Sequence, residues 1–282
     1  THIFQDTLVG FHVLLFITSV FCYGALEQWI ERHAITYGIC VITFYFLSNQ
    51  SYMSAIRQSV AVGFILWALM AMEDLNGRKR YIVYALLIAF ATLFHKTAVV
   101  ALIFPFLMKR EYTRNTTWLL MLITLVATLT NVVSSVISIL GLRTGYVTTE
   151  IGNAVNVGVV SLLYFAFLLL RLICDNSSYI MDEGTADIEN TAYGDSFYTY
   201  CIALSLAVTV MSLRAAGMSR LNMYLQLVGL PYVSNIMRRI ENQRVAFIVK
   251  VVFSMAIWGY SVIALIYRPE WQHIWPYHFY WQ

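Results

Sequence analysis

Between residues 7 and 267 the chain is a train of continuously apolar runs, separated by short polar stretches. Strands of a membrane barrel alternate lipid-facing and lumen-facing residues, and these runs do not alternate. The bilayer core holds no water to satisfy backbone N–H and C=O groups, so runs of this kind must close their hydrogen bonds within helices. Composition agrees: 60% of residues are hydrophobic and 12% charged, with a mean hydropathy of +0.68, whereas a soluble domain carries about 25% charged residues. The expectation is an all-α, polytopic integral membrane protein.

About ten segments can be marked, and a straight span needs about 20 residues. They run near 7–26, 34–50, 57–72, 81–95, 97–108, 117–140, 155–174, 197–213, 219–236 and 246–267. Several are short, so the stretches around His95 and Pro231 are read as broken or re-entrant helices. The chain starts at Thr1 with no signal peptide ahead of it, and an N-terminal part is expected to be missing. The helix number is therefore a lower bound. The whole of 1–282 reads as one helical transmembrane domain, and the acidic, turn-rich stretch 175–196 reads as a cytoplasmic loop. No internal repeat or low-complexity tract stands out. Cys22, Cys40, Cys174 and Cys201 lie singly in apolar runs without ligand spacing and read as core residues.

Lys and Arg set the orientation, because cytoplasmic loops collect them. Arg32; Arg78, Lys79 and Arg80; Lys109, Arg110 and Arg114; Arg171; and Arg238, Arg239 and Arg244 fall in alternate loops, with Lys250 beside the last group. That side is expected to be cytoplasmic. Arg57, Lys96, Arg143, Arg214, Arg220 and Arg268 are scattered on the other side, together with His95. Arg57, Lys96, Arg214 and Arg220 sit at or within the ends of apolar segments. At mid-helix such a charge costs about 2.5–3.5 kcal/mol on insertion scales. Each alone can be a snorkelling side chain; converging on one cavity, they would form an anion site, with arginine forks gripping phosphate oxygens in pairs.

His95 can take or give a proton near neutral pH, or it can be a hydrogen-bonded packing residue at a helix end. His2, His12, His33, His273 and His278 read as interfacial. Asp187-Ile188-Glu189 looks like the acidic metal motif of many sugar transferases, but it falls on the cytoplasmic side and reads as a solvated loop. With only Asp6, Glu150 and Glu270 outside, chemistry without a divalent ion or other cofactor is expected. Arg220 and Tyr224 are four apart and share a helical face. The tail residues Trp271, Trp275, Tyr277, Tyr280 and Trp281 read as an interfacial aromatic belt, or as a sugar-stacking groove. A net charge of +3, without a basic cluster beyond short loops, argues against nucleic acid as a partner.

These residues resemble a family. Ile56-Arg57-Gln58, a basic hairpin, Phe94-His95-Lys96-Thr97, then Arg220-Leu-x-x-Tyr224 with Pro231 look like the EpsG-like branch of the Wzy-type polysaccharide polymerases. Trp275-Pro276-Tyr277 with Phe279 is similar to that family's end. The resemblance covers most of 45–282 and is strongest over the Arg-Gln and His-Lys pairs. It departs at the start, where members carry further helices and an Arg/Asp-containing outer loop that this sequence does not show.

The resemblance implies a GT-C-like protein of the bacterial cytoplasmic membrane, of ten or more helices. Its outer-face site would move a growing O-antigen or exopolysaccharide chain from undecaprenyl (polyprenyl) pyrophosphate to a lipid-linked repeat unit. Besides membrane lipids, a chain-length regulator or flippase would be a partner. Arg57, Arg214 and Arg220, with Lys96, would clamp the leaving pyrophosphate. His95 would take the acceptor hydroxyl's proton or orient the pyrophosphate, while Gln58 and Tyr224 would hydrogen-bond phosphate or sugar. A glycan ligase shares this chemistry. A flippase would also need a cationic cavity, though transporters often carry internal pseudo-symmetry, which is not seen here. A purely structural membrane subunit is the remaining reading.

Overall fold

The computed structural model describes residues 7–130, 151–176, 194–213, 218–240 and 242–267. Every regular element among them is helical. In chain order these are α1 (Thr7–His33), α2 (Tyr37–Thr43), a π turn (Phe44–Ser48), α3 (Asn49–Ser54), α4 (Ile56–Asp74) and α5 (Arg78–Phe94). A 3₁₀ segment (Lys96–Ile103) leads into α6 (Phe104–Leu107). Then come α7 (Arg114–Leu129), α8 (Ile151–Asn176), α9 (Asp195–Met211), α10 (Ser219–Val228), α11 (Pro231–Arg238) and α12 (Gln243–Tyr267). Among the described residues, three helices are long and apolar enough to cross a membrane by themselves: His12–His33, Ile56–Asp74 and Gln243–Ile263. Shorter apolar helices cover Tyr37–Ser48, Lys96–Leu107, Arg114–Leu129, Val157–Leu172 and Asp195–Met211.

The chain forms two compact units, Thr1–His33 with Tyr37–Leu102 and Val251–Gln282, and Ala34–Thr36 with Ile103–Lys250. In the first, α4 is the core: 61% of its apolar window is buried, against 28% in α1. α4 returns into α5 through Leu75-Asn76-Gly77. Gly77 has φ +64, a left-handed conformation that costs glycine little. Phe64 of α4 stacks on Phe90 and Phe94 of α5, with ring centroids 6.1 and 5.6 Å away. The hairpin is therefore antiparallel, and the start of α4 lies at the same end as the finish of α5. α1 runs parallel to α4, since Arg32 at its end binds both carboxylate oxygens of Asp74 at 2.9 and 3.0 Å. Leu14, Phe16, Ile17 and Val20 of α1 stay exposed, an apolar face of the kind that meets lipid.

In the second unit α9 is central, packing on α7, α8 and α10. Its own polar side chains Thr199, Ser205 and Thr209 are buried. Thr113 caps α7, its hydroxyl accepting from the Thr116 N–H at 3.3 Å, an arrangement that stabilises a helix by about 1 kcal/mol. The expected break at Pro231 is present. α10 ends at Val228 and Pro231 opens α11, where its missing N–H costs nothing. At that corner Gly229 presses against α9: an added Cβ would come within 3.0 Å of the Cys201 Cβ.

Candidate functional site

In the first unit the chain bends at Ala55, and the bend is held from inside. The Ser59 hydroxyl donates to the Tyr52 carbonyl, the Tyr52 hydroxyl to the Cys22 carbonyl at 3.0 Å, and the Ser59 N–H to the Ala55 carbonyl at 2.9 Å. This anchors the head of α4, so that Gln58 points inward at 5% exposure while Arg57 is exposed. At the finish of α5, His95 leaves the helix in extended conformation, its N–H still bonded to the Ala91 carbonyl at 3.0 Å. Its ring is half-buried, and Nδ1 lies 2.7 Å from the Thr97 hydroxyl. Lys96 is exposed. The α4–α5 hairpin thus brings Arg57-Gln58 and His95-Lys96, 37 residues apart in sequence, to one end of one unit.

Arg220 and Tyr224 belong to the second unit. Arg220 is exposed in the first turn of α10, and Tyr224 one turn later is fully buried. The shared face read from their spacing divides where the helix dives into the core. Arg214, Arg143, Arg268, Asp187-Ile188-Glu189 and the aromatic tail lie outside the described residues.

Each unit has a second polar cluster that sequence reading did not foresee. In the first, His33 is 4% exposed beneath Trp29, ring centroids 4.0 Å apart, with Nε2 3.3 Å from Glu73 Oε1. It had read as interfacial; packing between α1 and α4 buries it. In the second, Asp195 Oδ2 accepts from Arg171 Nη1 and Arg239 Nη2, each at 2.7 Å. Arg171 also donates to Thr199 and lies over the Tyr112 ring, 5.4 Å from its centroid. Burial pushes the Tyr112 phenol up from its ordinary value, against the opposing Thr117 hydrogen bond and Arg171 charge, so it stays neutral. Asp195 had been assigned to the acidic stretch 175–196; it is the first residue of α9. The signal for this cluster was faint: one Arg inside an apolar run and one Asp before the next.

A cleft of about 450 Å³ opens in the second unit between α7, α8 and α9, walled by Leu120, Met121, Leu162, Phe165 and Leu206. It is apolar and lies in a different unit from Arg57 and His95.

Apolar helices with outward-facing aliphatic surfaces define an α-helical membrane protein. The model of the EpsG family matches residues 1–279, and the chain belongs to that family, which is associated with polysaccharide biosynthesis. No curated protein and no solved structure matches it.

Proposed function

We propose that this protein polymerises lipid-linked oligosaccharide repeat units at the outer face of the bacterial inner membrane. The chain, with ten or more transmembrane helices, would be GT-C-like, with the stretch 175–196 in the cytoplasm. In the reaction, the bond between the growing glycan's anomeric carbon and its undecaprenyl pyrophosphate breaks. A bond from an acceptor sugar hydroxyl to that carbon forms, and polyprenyl pyrophosphate leaves.

The observation that carries this reading, beside family membership, is that the antiparallel α4–α5 hairpin puts Arg57-Gln58 and His95-Lys96 at the same end. The end of the unit holding Arg32, Asp74 and Arg78 is the opposite one. A basic side facing the cytoplasm would leave His95 outside. There the leaving pyrophosphate needs cations and the acceptor hydroxyl needs a base. Arg57 would neutralise the leaving group with Lys96, in place of a divalent ion. His95 would accept the proton at Nε2, which requires that its Nδ1–H donate to Thr97 and that Nε2 be unprotonated. Gln58 and Tyr224 would hydrogen-bond phosphate or sugar; both are buried in the free protein, so each acts only as its surroundings open. A chain-length regulator or flippase would work beside it.

Purified protein given polyprenyl-pyrophosphate-linked repeat units should produce a ladder of longer glycans on one lipid carrier. A lipid-linked unit that crosses vesicle bilayers without ever lengthening would identify a flippase and overturn the proposal.

A further inference from the structure

His95 is the corner between α5 and the 3₁₀ segment, and the backbone ties it to both. Its N–H closes the last turn of α5 on the Ala91 carbonyl at 3.0 Å, and its own carbonyl accepts from the Ala98 N–H at 2.9 Å. His95 itself, at φ −148 and ψ +113, is extended. The direction of its side chain therefore follows from the angle between α5 and the 3₁₀ segment. One bond spans that angle. Tyr84, buried in α5, donates its hydroxyl to the Ala101 carbonyl at 2.6 Å. Tyr84 lies about 15 Å down α5 from Phe94, and Ala101 about 10 Å along the 3₁₀ segment from Lys96. A tie that far out on both arms fixes the angle more closely than a tie at the corner would. The segment is built to meet it. Runs of 3₁₀ helix beyond three or four residues are uncommon, yet this one holds for eight. Ala98, Ala101 and then Phe104 are fully buried, while Val99 and Leu102 are exposed. Residues three apart eclipse on a 3₁₀ helix, whereas on an α-helix they would turn by about 60° at each step. Small side chains on the inner face leave the backbone open, so the Ala101 carbonyl comes within reach of the tyrosine.

We propose that Tyr84 is a positioning residue of the polymerisation site: its bond to the Ala101 carbonyl braces the corner at His95 and sets the direction in which the imidazole faces. This role rests on the reading of His95 as the acceptor base. Tyr84 itself stands about 15 Å from the end of α5, so it acts through the backbone and not on the reacting atoms. A carbonyl oxygen has two lone pairs, and Ala101 takes the tyrosine without giving up its place in the helix. Without the hydroxyl the ring still fills its place in the core, but the two arms lose their tie. Reacting groups lose rate steeply when displaced by about 1 Å.

The test is Tyr84→Phe in the full chain, read in two ways. Steady-state elongation of polyprenyl-pyrophosphate-linked units should show turnover lowered about tenfold with KM nearly unchanged, the split expected of lost alignment. Tyr81→Phe removes a hydroxyl from the same helix one turn earlier, where it accepts from Arg80, and should leave turnover unchanged. The second measurement needs no activity. On a background without native cysteines, spin labels at Leu86→Cys and Val99→Cys, both exposed and on opposite arms, report the distance across the corner. Tyr84→Phe should shift or widen the distance distribution, and Tyr81→Phe should not. Wild-type turnover in Tyr84→Phe, or an unaltered distance distribution, would overturn the brace. Absence of elongation in the wild-type protein would instead overturn the polymerase reading, and with it the catalytic role of Tyr84, even where the distance responds.

Discussion

The Thr97 hydroxyl lies 2.7 Å from Nδ1 of His95, three residues beyond the end of α5. A hydroxyl there can donate to or accept from the ring nitrogen, and the contact fixes the ring's tilt. His95→Ala is expected to lower polymerisation about 100-fold or more, the usual contribution of a general base. Thr97→Val should lower turnover about tenfold with KM nearly unchanged, because orientation and not binding is lost. Steady-state chain elongation measures both. Wild-type turnover in His95→Ala would end the case for a base at this position.

Arg57→Lys and Arg220→Lys should each reduce elongation about tenfold or more while insertion and expression hold, since lysine keeps the charge but loses the planar fork. Both side chains are exposed, so neither substitution opens the core. Glycan length on a gel, beside membrane-fraction yield, reports the outcome. Unaltered chain lengths in both variants would assign these arginines to interfacial snorkelling.

Activity should persist in excess chelator, because the proposed clamp neutralises pyrophosphate with arginines. The assay is elongation of lipid-linked units with and without chelator. Loss that magnesium or manganese restores would require a metal site and reopen Asp187-Ile188-Glu189 as its source.

Asp195→Ala should destabilise the second unit by about 3 kcal/mol, since it removes the carboxylate shared by two guanidinium groups in a poorly solvated site. Arg171 and Arg239 keep only 10% and 25% of their side-chain surface exposed, so water cannot fully replace the carboxylate. Thermal unfolding in detergent measures the loss. A transition unchanged from wild type would mean that solvent reaches both arginines.

The two ends of the α4–α5 hairpin should lie on opposite sides of the membrane. On a background lacking the four native cysteines, Lys96→Cys should react with an impermeant thiol reagent in intact cells, and Lys79→Cys only after lysis. The reverse pattern would invert the proposed orientation.

Much of this fold was legible because a bilayer restricts a chain so severely. Each apolar run from 7–26 to 246–267 meets a helix or an adjoining set of helical pieces within the described residues. The interruptions at His95 and Pro231 appear where a polar pair and a missing N–H made them necessary. The ends of α4 and α5 were likewise readable, since a short turn between two spans can only return the chain. For the candidate residues, this was enough to put Arg57-Gln58 and His95-Lys96 at the same end of the hairpin.

What the sequence could not reveal was which side chains the helices turn inward and what they meet there. Arg220 and Tyr224 share a helical spacing, yet one is exposed and the other buried, a choice made by how α10 packs on α9. Asp195 reads as one more acidic loop residue until α8 and α11 bring Arg171 and Arg239 to it, from 24 residues before and 44 after. Local pattern determined the helices because backbone hydrogen bonding in lipid is a local demand. Tertiary structure decided the charge pairs and the apolar cleft, because burial and pairing depend on contacts distant in sequence.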